Sequence, residues 1–295
     1  MGFSERPAKS RITTNRTMIR KTFDAKGINY AGELIEQNLN DLYTILQWNT
    51  ANEIRFYRMS SDMFPWASEY GIANLPNIER VSALLRKCGE YATNTNQRLS
   101  FHPGPFNKLT SSNPSVTTNT IKDLTVHADI LDLMGLSRTH YNKINIHVGA
   151  TYKDKQGAVN QFLRNYELLD EKISSRFTLE NDDKESLYTT EDLYNLIHKH
   201  TNIPIVFDYH HHKLNNGGMP EKDALEIAIS TWNGIKPVVH YSESRAEEQN
   251  IKCPAQAHSD FVYRKIDTYG HDVDIMIEAK MKELALFKYR ELHKD

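Results

Sequence analysis

Along this 295-residue chain, histidines and carboxylates recur where short apolar runs end. The plainest case is Ile203-Pro204-Ile205-Val206-Phe207, followed at once by Asp208-Tyr209-His210-His211-His212. Such groups are costly to bury without partners. Convergence on a divalent cation would offset that cost, with the acid and neutral imidazoles as ligands. The pattern repeats at His102, His147, Glu180, His240 and Glu278, each at or beside the end of an apolar run. Beyond these ends lie His211, three residues after Asp208, and the pair His258 and Asp260. Imidazole and carboxylate without cysteine suit Zn, Mn, Fe or Mg. The ligands are too many for one ion and point to two or three sharing carboxylates. Clustered divalent ions are well suited to phosphodiester hydrolysis, activating water and stabilising the leaving oxygen.

The segments that must position these groups alternate in type. Strands are expected at Glu53–Met59, Arg98–His102, Lys143–Val148, Arg176–Glu180, Ile203–Phe207, Lys236–His240 and Asp274–Glu278. Helical spacing of apolar residues fills the intervals: Ala31–Asn49, Ile78–Thr95, Thr118–Leu136, Gly157–Leu169, Glu191–Lys199, Pro220–Trp232 and Ala279–Leu292. Thr189 or Thr190 is the expected N-cap of the fifth helix, and Pro220 suits a first turn. Strands alternating with helices imply right-handed crossovers and a parallel sheet. Seven clear units, with Met1-Gly2-Phe3 a thin eighth strand, fit a (β/α)8 TIM barrel in a single domain over 1–295. An open doubly wound sheet is the runner-up, but no G-x-G-x-x-G or phosphate-loop lysine motif supports it. In a parallel barrel all strand C-termini meet at one mouth, so the scattered candidates converge there. The first strand ends in Met59 and is the exception.

Composition narrows the class. The net charge is −2 with 25% charged residues, so any surface for nucleic acid must be local. Residues 1–30 form a basic arm, read as solvated and polar. Two cysteines, Cys88 and Cys253, make neither a disulfide framework nor a metal motif and suit a reducing cytosol. No membrane span or signal core is expected, and the expected setting is cytoplasmic or nucleoid-associated, as a monomer.

Several stretches carry a resemblance to a known family. They are Asn15-Arg16-Thr17, Gln47-Trp48-Asn49, Phe56 to Trp66, Phe101-His102-Pro103-Gly104, Asn145 to Gly149, Leu179 to Asp183, Phe207 to His211 and Ile277 to Lys280. In this order they are similar to the UV damage endonucleases, which resemble type-IV apurinic endonucleases and xylose isomerases in fold. The resemblance implies a metal-dependent barrel that binds damaged duplex DNA and nicks the backbone immediately 5′ of the lesion. It places the metal ligands at His102, His147, Glu180, Asp208, His211, His240, His258 and Glu278, with Asp260 weaker. It favours manganese, with zinc or magnesium as alternatives. Glu180, Glu278 and His240 are expected to stand closest to the chemistry. Arg58, Lys108, Lys153, Lys155, Lys213 and Arg245 are candidates for phosphate contact, and Phe106, Trp66 and Tyr209 for lesion probing.

The chain also departs from the family pattern. Glu69 stands where a histidine is common, which implies either a substitute oxygen ligand or a weakened metal position. Val238 occupies a position that can carry a modified lysine, with Lys236 two residues further back. Pro105-Phe106 replaces a Gln-Tyr pair; Phe106 keeps an apolar wedge, whereas Pro105 cannot donate as glutamine does. Two rivals follow: a sugar isomerase on the same barrel, and a lesion-binding protein with weakened nuclease activity.

Overall fold

A computed structural model describes residues 12–294. The thin strand candidate at Met1–Phe3 and the first part of the basic arm lie outside them. Seven strands form one parallel sheet in sequence order, the arrangement of the TIM-barrel class. They are β1 (Phe56–Met59), β2 (Arg98–Phe101), β3 (Ile144–His147), β4 (Phe177–Glu180), β5 (Ile205–Asp208), β6 (Val238–Tyr241) and β7 (Asp274–Ile277). Each has four residues, and β2, β4 and β5 are buried at every position. Both faces are covered, which suits the continuous apolar run of β5, whereas β2 and β4 alternate apolar residues with the buried polar side chains of Arg98, Ser100, Thr178 and Glu180. The chain divides into two compact units.

The first unit holds residues up to Ile146 and the segment Asn165–Phe177. Its longest helix, α1 (Arg20–Ala51), is broken at Gly27, whose φ of 66° leaves the helical region. The helix starts well before the expected Ala31, so the arm is not solvated throughout. Arg16 pairs with Asp41 at 2.7 Å, and the Asn38 side chain donates to the Arg16 and Met63 carbonyls. Phe23 and Tyr30 pack with Trp66 and Tyr70 against Met18, Ala31 and Leu34. After β1 come α2 (Ala67–Tyr70) and α3 (Ile78–Asn94), and after β2 comes α4 (Pro114–Leu133). Pro114 fits the first turn of α4, and the Asn113 side chain caps Ser115 N–H. A Cβ on Gly89 of α3 would lie 1.9 Å from the Met134 carbonyl oxygen, so only glycine permits this approach. Arg176, just before β4, is wholly buried and pairs with Asp132 at 2.8 Å. Its guanidinium also donates to the carbonyls of Ser137, Leu136 and Lys172. A short helix, α6 (Glu171–Ser174), precedes it.

The second unit holds His147–Arg164 and the chain from Thr178 onward. It contains α5 (Lys155–Tyr166), α7 (Thr190–Leu193), α8 (Lys199–Thr201), α9 (Tyr209–Leu214), α10 (Glu221–Ser230), α11 (Arg245–Glu248) and α12 (Glu283–Leu292). α5 itself runs on into Asn165 and Tyr166, which the first unit claims. Thr189, one of the two expected caps, closes α7 in a reciprocal box with Asp192. Pro220 stands at the N-cap of α10, one position before its first turn. The closing helix begins at Glu283 rather than Ala279, because Lys282 adopts a φ of 50°. The histidine run after β5 is helical, not a loop, and Asp208 caps it. Among the described residues no helix is long and apolar enough to cross a membrane.

Candidate metal centre

The ends of β3 to β7 present His147, Glu180, Asp208, His240 and, one residue beyond β7, Glu278. Strand alternation sets their facing: Glu180 shares a face with Thr178, and His240 with Val238, two positions back. Glu180 is the hub. Its Oε2 lies 3.0 Å from His240 Nδ1, and its Oε1 lies 3.4 Å from His211 Nδ1 and 3.9 Å from His147 Nε2. Glu278 Oε1 approaches the same His240 Nδ1 at 3.1 Å. Glu180, Asp208 and His240 can each offer one ligand atom within 4.8 Å of the others, and all three are buried.

The surroundings fix these groups in place. Asp208 Oδ1 accepts from His211 N–H at 2.8 Å, so one residue both ends β5 and starts α9. Asn181 ties the ends of β4 and β5 through its side chain: Nδ2 donates to the Asp208 backbone carbonyl, and Oδ1 accepts from Asp208 N–H. His211 Nδ1 meets the Asn181 carbonyl at 2.9 Å. His258 Nδ1 meets the Glu278 carbonyl at 2.7 Å, which leaves its other ring nitrogen for a ligand. Asp182 Oδ1 stands 3.1 Å from His147 Nδ1.

Charge is concentrated here. Burial, reinforced by Glu180 and Glu278, pushes the Asp208 carboxyl above its usual range, although His211 opposes this. Burial alone would lower the His147 imidazole, but Glu180, Asp182 and Asp208 outweigh it and raise the group to about 10. His211 is raised in the same way, with Asp208 and Glu180 overcoming burial. Among the described residues Asp208 Oδ2 is buried with no hydrogen-bond partner. A buried carboxylate oxygen without a donor is costly unless a cation meets it. Three carboxylates and several imidazoles, with no thiol, form a donor set that fits divalent ions.

His102 follows β2 in the first unit, half-buried, with Nδ1 3.3 Å from the Pro103 carbonyl. Glu69 lies on α2 and is held by Arg20 at 2.6 Å. Asp260 accepts from Gln249 at 2.6 Å. Lys236 precedes β6, at the opposite end from His240, and pairs with Asp272 at 2.6 Å. It therefore does not replace the lysine missing at Val238. Trp66 donates from Nε1 to the Met18 carbonyl and stacks on Phe23. Tyr209 is buried, with its hydroxyl on the Asp267 carbonyl and its ring between Phe207 and Tyr241. Both of these rings are occupied in packing. Phe106 is 86% exposed, and Pro105 beside it is also exposed. Lys108 is half-buried after β2, Arg58 half-buried within β1, and Lys153 exposed after β3. Lys213 pairs with Glu247. Residue type alone does not single out Asn181 and Asp182, although both directly follow the strand-end Glu180.

A parallel sheet of TIM-barrel class whose strand ends gather buried carboxylates and imidazoles defines a barrel protein with a candidate metal centre. Comparison with known proteins narrows this. Residues 3–294 match the family described as UV-endonuclease UvdE, and the chain belongs to that family. It is 39% identical over 265 residues to a UV DNA damage endonuclease of Bacillus cereus (strain B4264), covering 86% of this chain and 80% of that protein. The crystal structure of SacUVDE superimposes with a TM-score of 0.83 at 31% identity, covering 95% of this chain and 93% of that one. Endonuclease IV from Thermus thermophilus shares the fold, with a TM-score of 0.54 at 13% identity over 85% of this chain and 93% of that one.

Proposed function

We propose that this DNA repair endonuclease is metal-dependent and incises UV-damaged duplex DNA immediately 5′ of the lesion. The observation that carries the reading is the buried meeting of Glu180, Asp208 and His240, with Asp208 Oδ2 lacking a donor among the described residues. His102, His147, Glu180, Asp208, His211, His240, His258 and Glu278 would hold two or three ions, manganese being favoured over zinc or magnesium. Bound divalent ions would supply acidified water and charge stabilisation for the leaving oxygen.

The chain's own residues prepare the site. Glu180 and Glu278 hold His240 between them and supply negative charge that survives burial only when balanced. Asp182 fixes the ring of His147 through Nδ1, which directs Nε2 toward Glu180. Asn181 keeps the ends of β4 and β5 in register, so Glu180 and Asp208 stay together. Phe106, exposed beyond β2, is the side chain suited to wedge into a base stack weakened by damage. Lys108, Lys153 and Arg58 are the candidate phosphate contacts.

The test is incision of an end-labelled duplex carrying a single photoproduct, after chelation and after return of Mn²⁺. Cleavage on the 5′ side of the lesion, lost with chelator and restored by Mn²⁺, is expected. Undiminished cleavage in chelator would remove the metal from the reading, and a cut elsewhere would remove the assigned position.

A further inference from the structure

The loop that leaves His147 turns back on itself at Thr151–Asp154, where Asp154 N–H donates to the Thr151 carbonyl at 2.8 Å. The two central residues, Tyr152 and Lys153, have φ of 50° and 65°. Two positive φ values inside such a hydrogen-bonded turn give the mirror-image, type I′ pattern. Glycine and asparagine take those positions readily; a tyrosine and a lysine do so at a cost in backbone energy. Neither side chain recovers that cost by burial, since Tyr152 is 60% exposed and Lys153 is exposed as well.

The turn is nevertheless held firmly. Asp154 Oδ1 accepts from Gly157 N–H at the start of α5, and Lys155 pairs with Asp192 at 2.8 Å. Thr151 Oγ1 donates to the Ser186 carbonyl. That carbonyl belongs to the loop closed by Asp182 and Tyr188, through Asp182 N–H on the Tyr188 carbonyl at 2.8 Å. Asp182 in turn contacts His147. The strained turn is therefore anchored to the same short loop that orients a residue of the candidate metal centre.

We infer that Tyr152 and Lys153 form a nucleic-acid contact, Tyr152 stacking on an unpaired or loosened base and Lys153 meeting the adjacent phosphate. This rests on the endonuclease reading above and adds a stacking residue to it. Backbone strain at exposed, well-anchored residues is the mark of a conformation kept for what it presents. An exposed aromatic beside an exposed cation presents what a single strand of nucleic acid offers to bind: base faces and phosphate.

The test uses the full chain loaded with Mn²⁺, with thermal midpoints and Kd for a UV-irradiated duplex measured by fluorescence anisotropy. Tyr152→Asn suits the turn and removes the ring; Tyr152→Phe keeps the ring. Tyr152→Asn should match or exceed the parent protein in midpoint while binding the irradiated duplex about tenfold more weakly, the loss of one stacked base. Tyr152→Phe should bind within about twofold of the parent, because the π face is retained. Lys153→Asn should lower the salt dependence of binding by about one counterion. If the parent binds and cuts irradiated DNA while Tyr152→Asn binds it equally well, this inference fails and the endonuclease reading stands. If the parent neither binds nor cuts, both fail together.

Discussion

Asp182 Oδ1 lies 3.1 Å from Nδ1 of His147, whose Nε2 stands 3.9 Å from Glu180. One carboxylate therefore sets the ring orientation of an imidazole that faces a second carboxylate. Such an outer partner fixes the tautomer and raises the basicity of a ligating histidine. Asp182→Asn should weaken Mn²⁺ affinity about 10- to 100-fold while leaving the fold intact. A Mn²⁺ titration followed by electron paramagnetic resonance, with circular dichroism as control, measures this. Equal affinity in the variant would remove Asp182 from the centre.

Glu180 reaches three imidazoles, those of His147, His211 and His240. Its charge is the one on which those rings converge. Glu180→Gln keeps the shape and removes the charge, and should reduce nicking of irradiated supercoiled plasmid by at least about a hundredfold. His147→Ala should do the same. Nicking at the parental rate by either variant, with native circular dichroism, would place the chemistry elsewhere.

Much of this centre is legible in the chain because the strands are short and end abruptly. Phe207 is followed by Asp208 and Leu179 by Glu180 with nothing between, so the change from apolar to ligand type marks the strand end itself. Asn181 and Asp182 follow Glu180 directly, but their part depends on where the ends of β5 and β3 lie, and no one-dimensional spacing reports that. Exposure is equally hidden. Trp66 and Tyr209 are aromatic like Phe106, yet their N–H and O–H groups donate to the Met18 and Asp267 carbonyls and hold them inward, while Phe106, which has no such donor, projects. The early start of α1 is obscured by the many basic residues between Arg16 and Lys26. Phe23 and Tyr30 nonetheless give that stretch an inward side, and Gly27 reads as a stop where the structure makes a break. The Tyr152-Lys153 turn carries no turn residues at its centre, so its conformation contradicts its composition.

Away from the centre, stability in the first unit depends on a buried arginine. Arg176 is wholly buried, and Asp132 meets it at 2.8 Å. Asp132→Asn leaves that charge with only carbonyl acceptors and should cost about 3 kcal/mol of folding stability, measured by urea denaturation. The pH dependence follows from the sign of the shift. Burial alone would raise the Asp132 carboxyl, but hydrogen bonds from Arg138 and Arg176 bring it below its ordinary value of 3.8. A depressed carboxyl adds stability above its unfolded pKa and loses it as pH falls through the folded value. The gap between parent and Asp132→Asn should therefore be full at neutral pH and close below about pH 4. A gap unchanged down to about pH 3 would assign the loss to packing rather than to charge.

The approach of α3 to the residue after α4 gives the last expectation. Gly89 is buried, and a methyl group there would stand 1.9 Å from the Met134 carbonyl oxygen and 2.7 Å from its carbonyl carbon. Both atoms are backbone, so a rotamer change cannot relieve the clash; one helix must move. Gly89→Ala gains helix propensity of about 1 kcal/mol relative to glycine, which opposes the loss. Overpacking in a close contact costs about 1–3 kcal/mol, more when backbone has to shift. The steric cost exceeds the propensity gain here because the overlap is over about 1 Å inside any normal carbon–oxygen contact. Gly89→Ala should therefore lower the urea midpoint, with a net loss of about 2 kcal/mol. A raised midpoint would mean that α3 and the end of α4 separate at little cost.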